Sequence, residues 1–296
     1  WLKAQNKLDK IYDKIQSERD AIQYELLQQH KVIATTNSTA GCDLLEFEKF
    51  DWLVMDEAAQ ASIPSSMIPL LKADRFVLIG DHFQLPPVVI NREAKELGLS
   101  QSLMDLLAEL YPYQLTRLDV QYRMHKDINK LVSKMFYNGT LIPDKSVANR
   151  VVLAKEKIVE VVPIKGEEKI NKDSKSYYNQ LEIEGVVRTV HSLEKKGIEP
   201  DQIAIISPYK AQAIKISKAL DQSIEVDTVD AFQGREKDVV IISFVRSNDY
   251  NEIGFLKDFR RLNVSISRAK SKLILIGNID VLKENKMYNS LFNRIN

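Results

Sequence analysis

Cysteine is almost absent from this chain: Cys42 is the single one in 296 residues. That excludes an internal disulfide framework and a cysteine-rich zinc site, and it suits a reducing, intracellular compartment; a cytoplasmic location, or a nuclear one in a eukaryote, is the expectation. Histidine is nearly as sparse, with 4 scattered residues that form no spaced metal-binding set. Neither sign of charge is in excess: 42 Lys and Arg against 41 Asp and Glu leave a net charge of +1. There is no global basic field, so any nucleic-acid binding has to come from a local groove. No apolar run approaches the ~18 residues that cross a bilayer, so no membrane partner is expected. The opening Trp1-Leu2-Lys3-Ala4-Gln5 lacks the layout of a signal peptide. None of the 10 glycines is followed by lysine, so the phosphate-cradling loop G-x-x-x-x-G-K-[ST] is missing.

What the chain does contain is ordinary globular material, 44% hydrophobic and 28% charged, at a length that suggests about two domains. Residues 1–29 place Leu8, Ile11, Ile15, Ile22 and Leu26 at helical spacing amid charged residues, which predicts an amphipathic helical arm. Short apolar runs then alternate with helical stretches. Val32–Thr36, Trp52–Met55 and Arg75–Ile79 read as strands, with helices over Ile63–Leu71 and Arg92–Leu110. The pattern changes around Tyr111–Asp119, which places a domain boundary there and divides the chain into 1–29, 30–115 and 116–296. Beyond it, helices are predicted at Lys126–Tyr137 and Leu181–Lys195, and buried strands at Ile203–Ile206, Val239–Phe244 and Leu273–Ile276; Ala154–Ser176 reads as one strand and an exposed loop. Strands alternating with helices argue for two α/β domains with parallel sheets.

The stretch Asp51–Gln60 concentrates the chemistry. Four apolar residues, Trp52 to Met55, stop abruptly at two adjacent carboxylates, Asp56 and Glu57. In open α/β sheets ligands bind outside the carboxyl ends of strands, so an acidic pair there is a candidate site. The plain alternative is a strand that exits into solvent through acidic residues.

Five segments occur in order: D-E-A-A-Q at 56–60, G-D-H-F-Q-L-P-P at 80–87, V-Q-Y-R-M-H at 120–125, D-T-V-D-A-F-Q-G-R-E at 227–236 and R-R-L-N-V-S-I-S-R-A-K at 260–270. Together they resemble the motifs of superfamily 1 helicases, in the branch of the nonsense-mediated-decay and immunoglobulin-mu-binding helicases. The resemblance spans about Val32 to Asn278. It implies two RecA-like domains of P-loop NTPase type, each an α/β parallel sheet, with the first incomplete. It also implies ATP and Mg²⁺ as cofactors and single-stranded DNA or RNA as partner, with 5′-to-3′ movement.

By that resemblance Asp56 would hold Mg²⁺, Glu57 would polarise the attacking water, and Gln84 would sense the γ-phosphate. Arg123 and Arg268 would be arginine fingers, a role for which a fixed, permanently charged guanidinium suits phosphate oxygens better than an ammonium. Tyr122 would stack on adenine, with a core tyrosine as the ordinary alternative. Glu236 would accept hydrogen bonds from the ribose, and Gly234 would allow close backbone approach. Nucleic acid would meet Thr35, Thr36, Ser38 and Pro86 in the first domain, then Ser207, Pro208, Tyr209, Lys210, Thr228, Val229 and Asp230 in the second. Hydroxyls and amides of this kind contact phosphates without reading sequence, although loop-capping Ser and Thr are a competing explanation.

The missing phosphate loop limits this picture. The resemblance makes residues 1–29 the end of an insertion in the first domain and the whole chain the C-terminal part of a larger helicase. An ATP-dependent helicase or translocase is the leading function, with negligible ATP hydrolysis by the chain alone and the missing N-terminal part as a required partner. A non-catalytic, nucleic-acid- or partner-binding half of a split helicase is the alternative. A metal nuclease using Asp56, Glu57 and Asp81 would leave the arginine and Q-G-R-E segments unexplained.

Overall fold

A computed structural model describes residues 1–295. The chain forms two compact units, 1–82 with 86–115, and 83–85 with 116–296.

The first unit opens with α1 (Leu2–Gln29), an uninterrupted helix. It has no internal glycine or proline, yet its apolar residues Leu8, Ile11, Ile15, Ile22 and Leu26 all remain exposed. β1 (Phe50–Met55) and β2 (Ala73–Leu78) pair in parallel, from Phe50 beside Ala73 to Met55 beside Leu78, and α2 (Ile63–Leu70) connects them. α3 (Arg92–Glu96) and α4 (Leu103–Leu110) complete the unit. The single helix expected over 92–110 is broken because Gly98 takes φ +94°. The chain restarts only where Ser102 caps α4 by accepting from the Asp105 amide at 2.9 Å. The strand expected at Val32–Thr36 is irregular backbone, since the sheet of this unit contains β1 and β2 alone.

The second unit is built on a five-stranded, all-parallel sheet. Its strands are β5 (Val159–Pro163), β8 (Ile203–Ser207), β9 (Glu225–Thr228), β10 (Lys237–Ser243) and β11 (Ala269–Gly277). Their order across the sheet is β5-β11-β10-β8-β9. Two short ladders flank it: β3 (Val120–Gln121) pairs with β4 (Ile142–Pro143), and β6 (Glu168–Ile170) forms a hairpin with β7 (Tyr177–Asn179). That hairpin and β9 were not foreseen, because short polar strands carry almost no hydrophobic period.

Side-chain alternation explains why the runs in β8, β10 and β11 are apolar throughout. Val240, Ile242, Leu273 and Leu275 enter one core cluster, whereas Val239, Ile241, Ile274 and Ile276 enter the other. The first cluster is covered by α5 (Lys126–Phe136), α8 (Phe259–Ser267) and α10 (Lys286–Ile295) through Ile128, Leu262 and Leu291. The second is covered by α6 (Gln180–Lys195) and α7 (Lys210–Ala219) through Val186, Val190 and Ile216. α9 (Ile279–Lys283) adds Leu282 to the first cluster. Sites on this unit therefore lie at the two ends of the strands.

Candidate functional site

In the first unit the acidic pair sits where β1 ends. Glu57 adopts φ +52°, a left-handed conformation that costs a non-glycine residue roughly 1–2 kcal/mol. The turn is pinned on both sides: Ile79 donates its amide to the Met55 carbonyl and the Ala58 amide donates to the Ile79 carbonyl, both at 2.8 Å. Gly80 permits this approach, since a Cβ there would come within 3.0 Å of the Ala59 nitrogen. Both carboxylates are exposed. Asp56 Oδ1 accepts the Glu57 amide at 2.9 Å, and Glu57 Oε2 accepts from the Gln60 side chain. A lone exposed carboxylate at a strand end fits the way Mg²⁺ is commonly held, by one or two protein carboxylates with waters and substrate phosphates completing the shell. Among the described residues no group of three or more His, Cys, Asp or Glu could form an all-protein metal site.

Beside this turn, Asn37 reaches Ser65 at 3.3 Å and fixes the loop that carries Thr35, Thr36 and Ser38, all exposed. Thr36 Oγ1 lies 2.9 Å from Thr39 Oγ1 and accepts the Thr39 amide at 3.2 Å, so this hydroxyl does serve a local turn. Pro86 is half-buried.

Gln84, with Phe83 and Leu85, belongs to the second unit, although the residues on either side of this triplet belong to the first. Phe83 packs edge-on against Tyr137 at 5.5 Å and its carbonyl accepts from Asn263 at 3.0 Å, while Leu85 enters the sheet core. Gln84 Oε1 accepts from Arg268 Nη2 at 2.9 Å.

Arg268 is itself buried, and its guanidinium also donates to the carbonyls of Val264 at 3.1 Å and Arg235 at 3.4 Å. Arg123 approaches the same place. It pairs through Nε with Glu236 Oε2 and donates from Nη1 to the Ser267 carbonyl at 3.3 Å, while Arg268 Nη2 lies 3.4 Å from the Ser267 hydroxyl. The two arginines thus flank one residue just before β11. Lys270 joins at 3.1 Å from Glu236 Oε1. Burial alone would raise the Glu236 carboxyl, but the hydrogen bonds and charges of Arg123 and Lys270 outweigh it and hold the group below the usual range.

The V-Q-Y-R-M-H segment owes its shape to Gln121, whose side-chain oxygen accepts the amides of Arg123 and Met124 at 2.8 and 2.7 Å. The turn leaves Tyr122 66% exposed, which removes the core-tyrosine alternative. His125 caps α5 by accepting the Asp127 amide at 3.1 Å, and burial lowers its pKa against the opposing pull of Asp127. Gly234 has φ +80° with open space around a would-be Cβ. The positive φ requires glycine's conformational freedom, and the side facing the would-be Cβ is open.

In the second unit the predicted nucleic-acid residues lie at the opposite, carboxyl end of the sheet, where β8 and β9 finish. Lys210 is exposed at the start of α7, and Pro208 and Thr228 are half-buried. Three of the expected side chains are withdrawn. Tyr209 is buried against Tyr177 and Phe255, with its hydroxyl accepting from Arg246 Nη1 at 3.4 Å; Val229 lies in the core; and Ser207 is buried, accepting the Tyr209 amide at 3.3 Å. Asp230 is exposed but committed to Arg261, at 3.0 Å through Nη2. Sequence reasoning left Arg261 unassigned and passed over Arg246, which pairs with Glu168 at 2.9 Å and stacks over Tyr177 at 4.4 Å. The signal for Arg246 was its place directly after a buried run. Lys270 closes the 260–270 segment but was given no role there.

Known proteins agree with the motifs. A family described as an AAA domain matches residues 1–92, and a second AAA domain family matches residues 99–280. An uncharacterized ATP-dependent helicase of Methanocaldococcus jannaschii is 40% identical, over 98% of this chain and 45% of its own length. A regulator of nonsense transcripts 1 homolog of Drosophila melanogaster is 38% identical, over 92% of this chain and 24% of its own length. Among solved structures, the PRRSV helicase aligns with a TM-score of 0.43 at 17% identity, covering 78% of this chain and 36% of that one. The chain thus spans less than half the length of these relatives.

Proposed function

We infer the role of this chain from its kinship: it belongs to the superfamily 1 helicases with AAA domains, of the nonsense-transcript-regulator type. The protein of which it forms part is proposed to couple ATP hydrolysis to movement along single-stranded DNA or RNA, 5′ to 3′. The observation that carries this reading is the pair of arginines around Ser267, one hydrogen-bonded to Gln84 and the other to Glu236. A phosphate-handling site needs positive charge oriented in advance, and these contacts orient it.

Within this proposal Asp56 holds Mg²⁺, which when bound would neutralise phosphate charge. Glu57, steadied by Gln60, orients and polarises the attacking water. Arg123 exchanges Glu236 for phosphate oxygens when nucleotide arrives, which frees Glu236 to accept from ribose hydroxyls. Tyr122 offers its exposed ring to the adenine. Thr35, Thr36, Ser38, Pro86, Pro208, Lys210 and Thr228 contact the nucleic-acid backbone; at Ser207, Tyr209 and Val229 only main-chain groups remain for that purpose. The chain alone hydrolyses ATP negligibly, because no phosphate loop occurs in its sequence. Its partner is a segment or polypeptide that supplies that loop, in an intracellular setting.

The test is ATPase and unwinding by the longer, loop-containing protein on matched DNA and RNA substrates. Arg268→Ala and Arg123→Ala should each lower kcat by about 10³-fold or more. Glu57→Gln should keep ATP binding and abolish turnover. Equal loss of binding and turnover in Glu57→Gln, or robust ATPase from the 296 residues alone, would refute these assignments.

A further inference from the structure

A cleft of about 530 Å³ opens on the second unit between α5 and α10, at the entry to β5. None of the residues discussed above as nucleotide or nucleic-acid contacts lines it. Its rim carries Lys130, Lys134, Lys157 and Arg294, all exposed. Among the described residues no ion pair involves any of these four cations, whereas the buried Lys272 nearby is paired with Glu156 and Glu160. The two carboxylates of the lining reduce the positive charge of the rim but leave it in excess, four cations against Asp127 and an already paired Glu156. Glu156 is already committed to Lys196 and, at 3.2 Å, to Lys272; Asp127 lies beside the cap of α5, 3.6 Å from His125.

The floor is aliphatic, formed by Leu131, Ile158 and Ile295. It is also firmly held: the buried Lys272 ammonium reaches Glu160 at 2.9 Å and the Lys157 carbonyl at 2.8 Å, which fixes the backbone on which Ile158 sits. Cations without a carboxylate partner around a preformed apolar floor select a ligand that is anionic at its edges and aliphatic at its centre. A nucleotide or single strand would want an aromatic face for its base, and the lining contains none. A bare phosphate would leave the apolar floor unused.

We propose that this cleft docks a short acidic peptide segment of a partner protein, with a leucine-like anchor on the floor and flanking carboxylates on Lys130, Lys134, Lys157 and Arg294. The proposal is independent of the nucleotide chemistry above. A fluorescein-labelled synthetic peptide with two leucines set among Asp and Glu, titrated with the full chain and read by anisotropy, tests it. Saturable binding of roughly micromolar affinity is expected. The K130E/K134E variant should weaken it by at least about tenfold, with an unchanged thermal melt, since both side chains are exposed. The charge-matched K169E/K172E variant should bind as the parent does, and a peptide with both leucines replaced by serine should lose binding. No saturable binding, equal loss in both charge variants, or a leucine-free peptide that binds as well would overturn the proposal. So would a single-stranded oligonucleotide that displaces the peptide and is itself sensitive to K130E/K134E, because the cleft would then be a nucleic-acid site.

Discussion

The two units use the same parallel pairing and reach opposite outcomes. In the second, β10 and β11 have a strand on either side and helices on both faces, and Ile241, Leu273 and Leu275 are fully buried. In the first, β1 and β2 have only each other; Trp52 is 54% and Val54 63% exposed, with Phe76 and Val77 beyond two-fifths. Parallel strands are apolar on both faces because helices normally cover both. The composition of β1 is that of an interior strand, and its surroundings are those of an edge. The units also differ in how they keep carboxyl groups at strand ends. Asp56 and Glu57 stand in solvent, whereas Glu182, at the carboxyl end of β10, is wholly buried. It accepts from the Ser243 hydroxyl at 2.7 Å and the Val245 amide at 2.9 Å, and burial pushes it up to about 8.

The sharpest way to break this comparison is hydrogen exchange on the intact chain. The amides of β10 and β11 should exchange about three orders of magnitude more slowly than those of β1 and β2; equal protection would mean that the first sheet is covered in solution. Next in size is a pair of truncations followed by urea titration. Ile241→Ala should cost about 2–5 kcal/mol, and Val54→Ala about 0.5 kcal/mol or less. A similar cost at both positions would erase the distinction. The smallest effect sharpens the carboxyl contrast. The Glu182 carboxyl holds its proton more tightly when folded, so its contribution to stability is complete below its ordinary value of 4.5 and is lost as pH rises through about 8. Glu182→Gln should therefore be less pH-dependent and should exceed the parent in urea midpoint above that pH. A parallel pH profile for the two proteins would show that Glu182 does not titrate in this range.

Much of the second unit was legible because period and burial coincide there. Runs such as Val239–Phe244 and Leu273–Ile276 have only one comfortable place in an α/β protein, and the helix expected over Leu181–Lys195 is closed just past its end by Gly197 at φ +89°. The candidate nucleotide residues were named from residue types and spacings. Their partners were not: that Arg268 rests on Gln84, or that Arg123 is held by Glu236, depends on contacts 184 and 113 residues apart. Nor could spacing show that Phe83–Leu85 leaves its sequence neighbours to pack in the other unit. The burial of the Tyr209 and Val229 side chains has a simple cause. A loop after a strand alternates between core and solvent over a single residue, and a motif records only which residues occur.

The strand order has a consequence in time. β5 has one neighbour, β11, and Val159 pairs with Leu273. At a synthesis rate of about 5–20 residues per second, β5 waits on the order of ten seconds for that partner to emerge. Val159, Val161 and Val162 spend that interval as an unpaired apolar edge, which neither β8 nor β10 can relieve without disturbing the order. The sheet of this unit is therefore completed only when its last strand in sequence, β11, arrives.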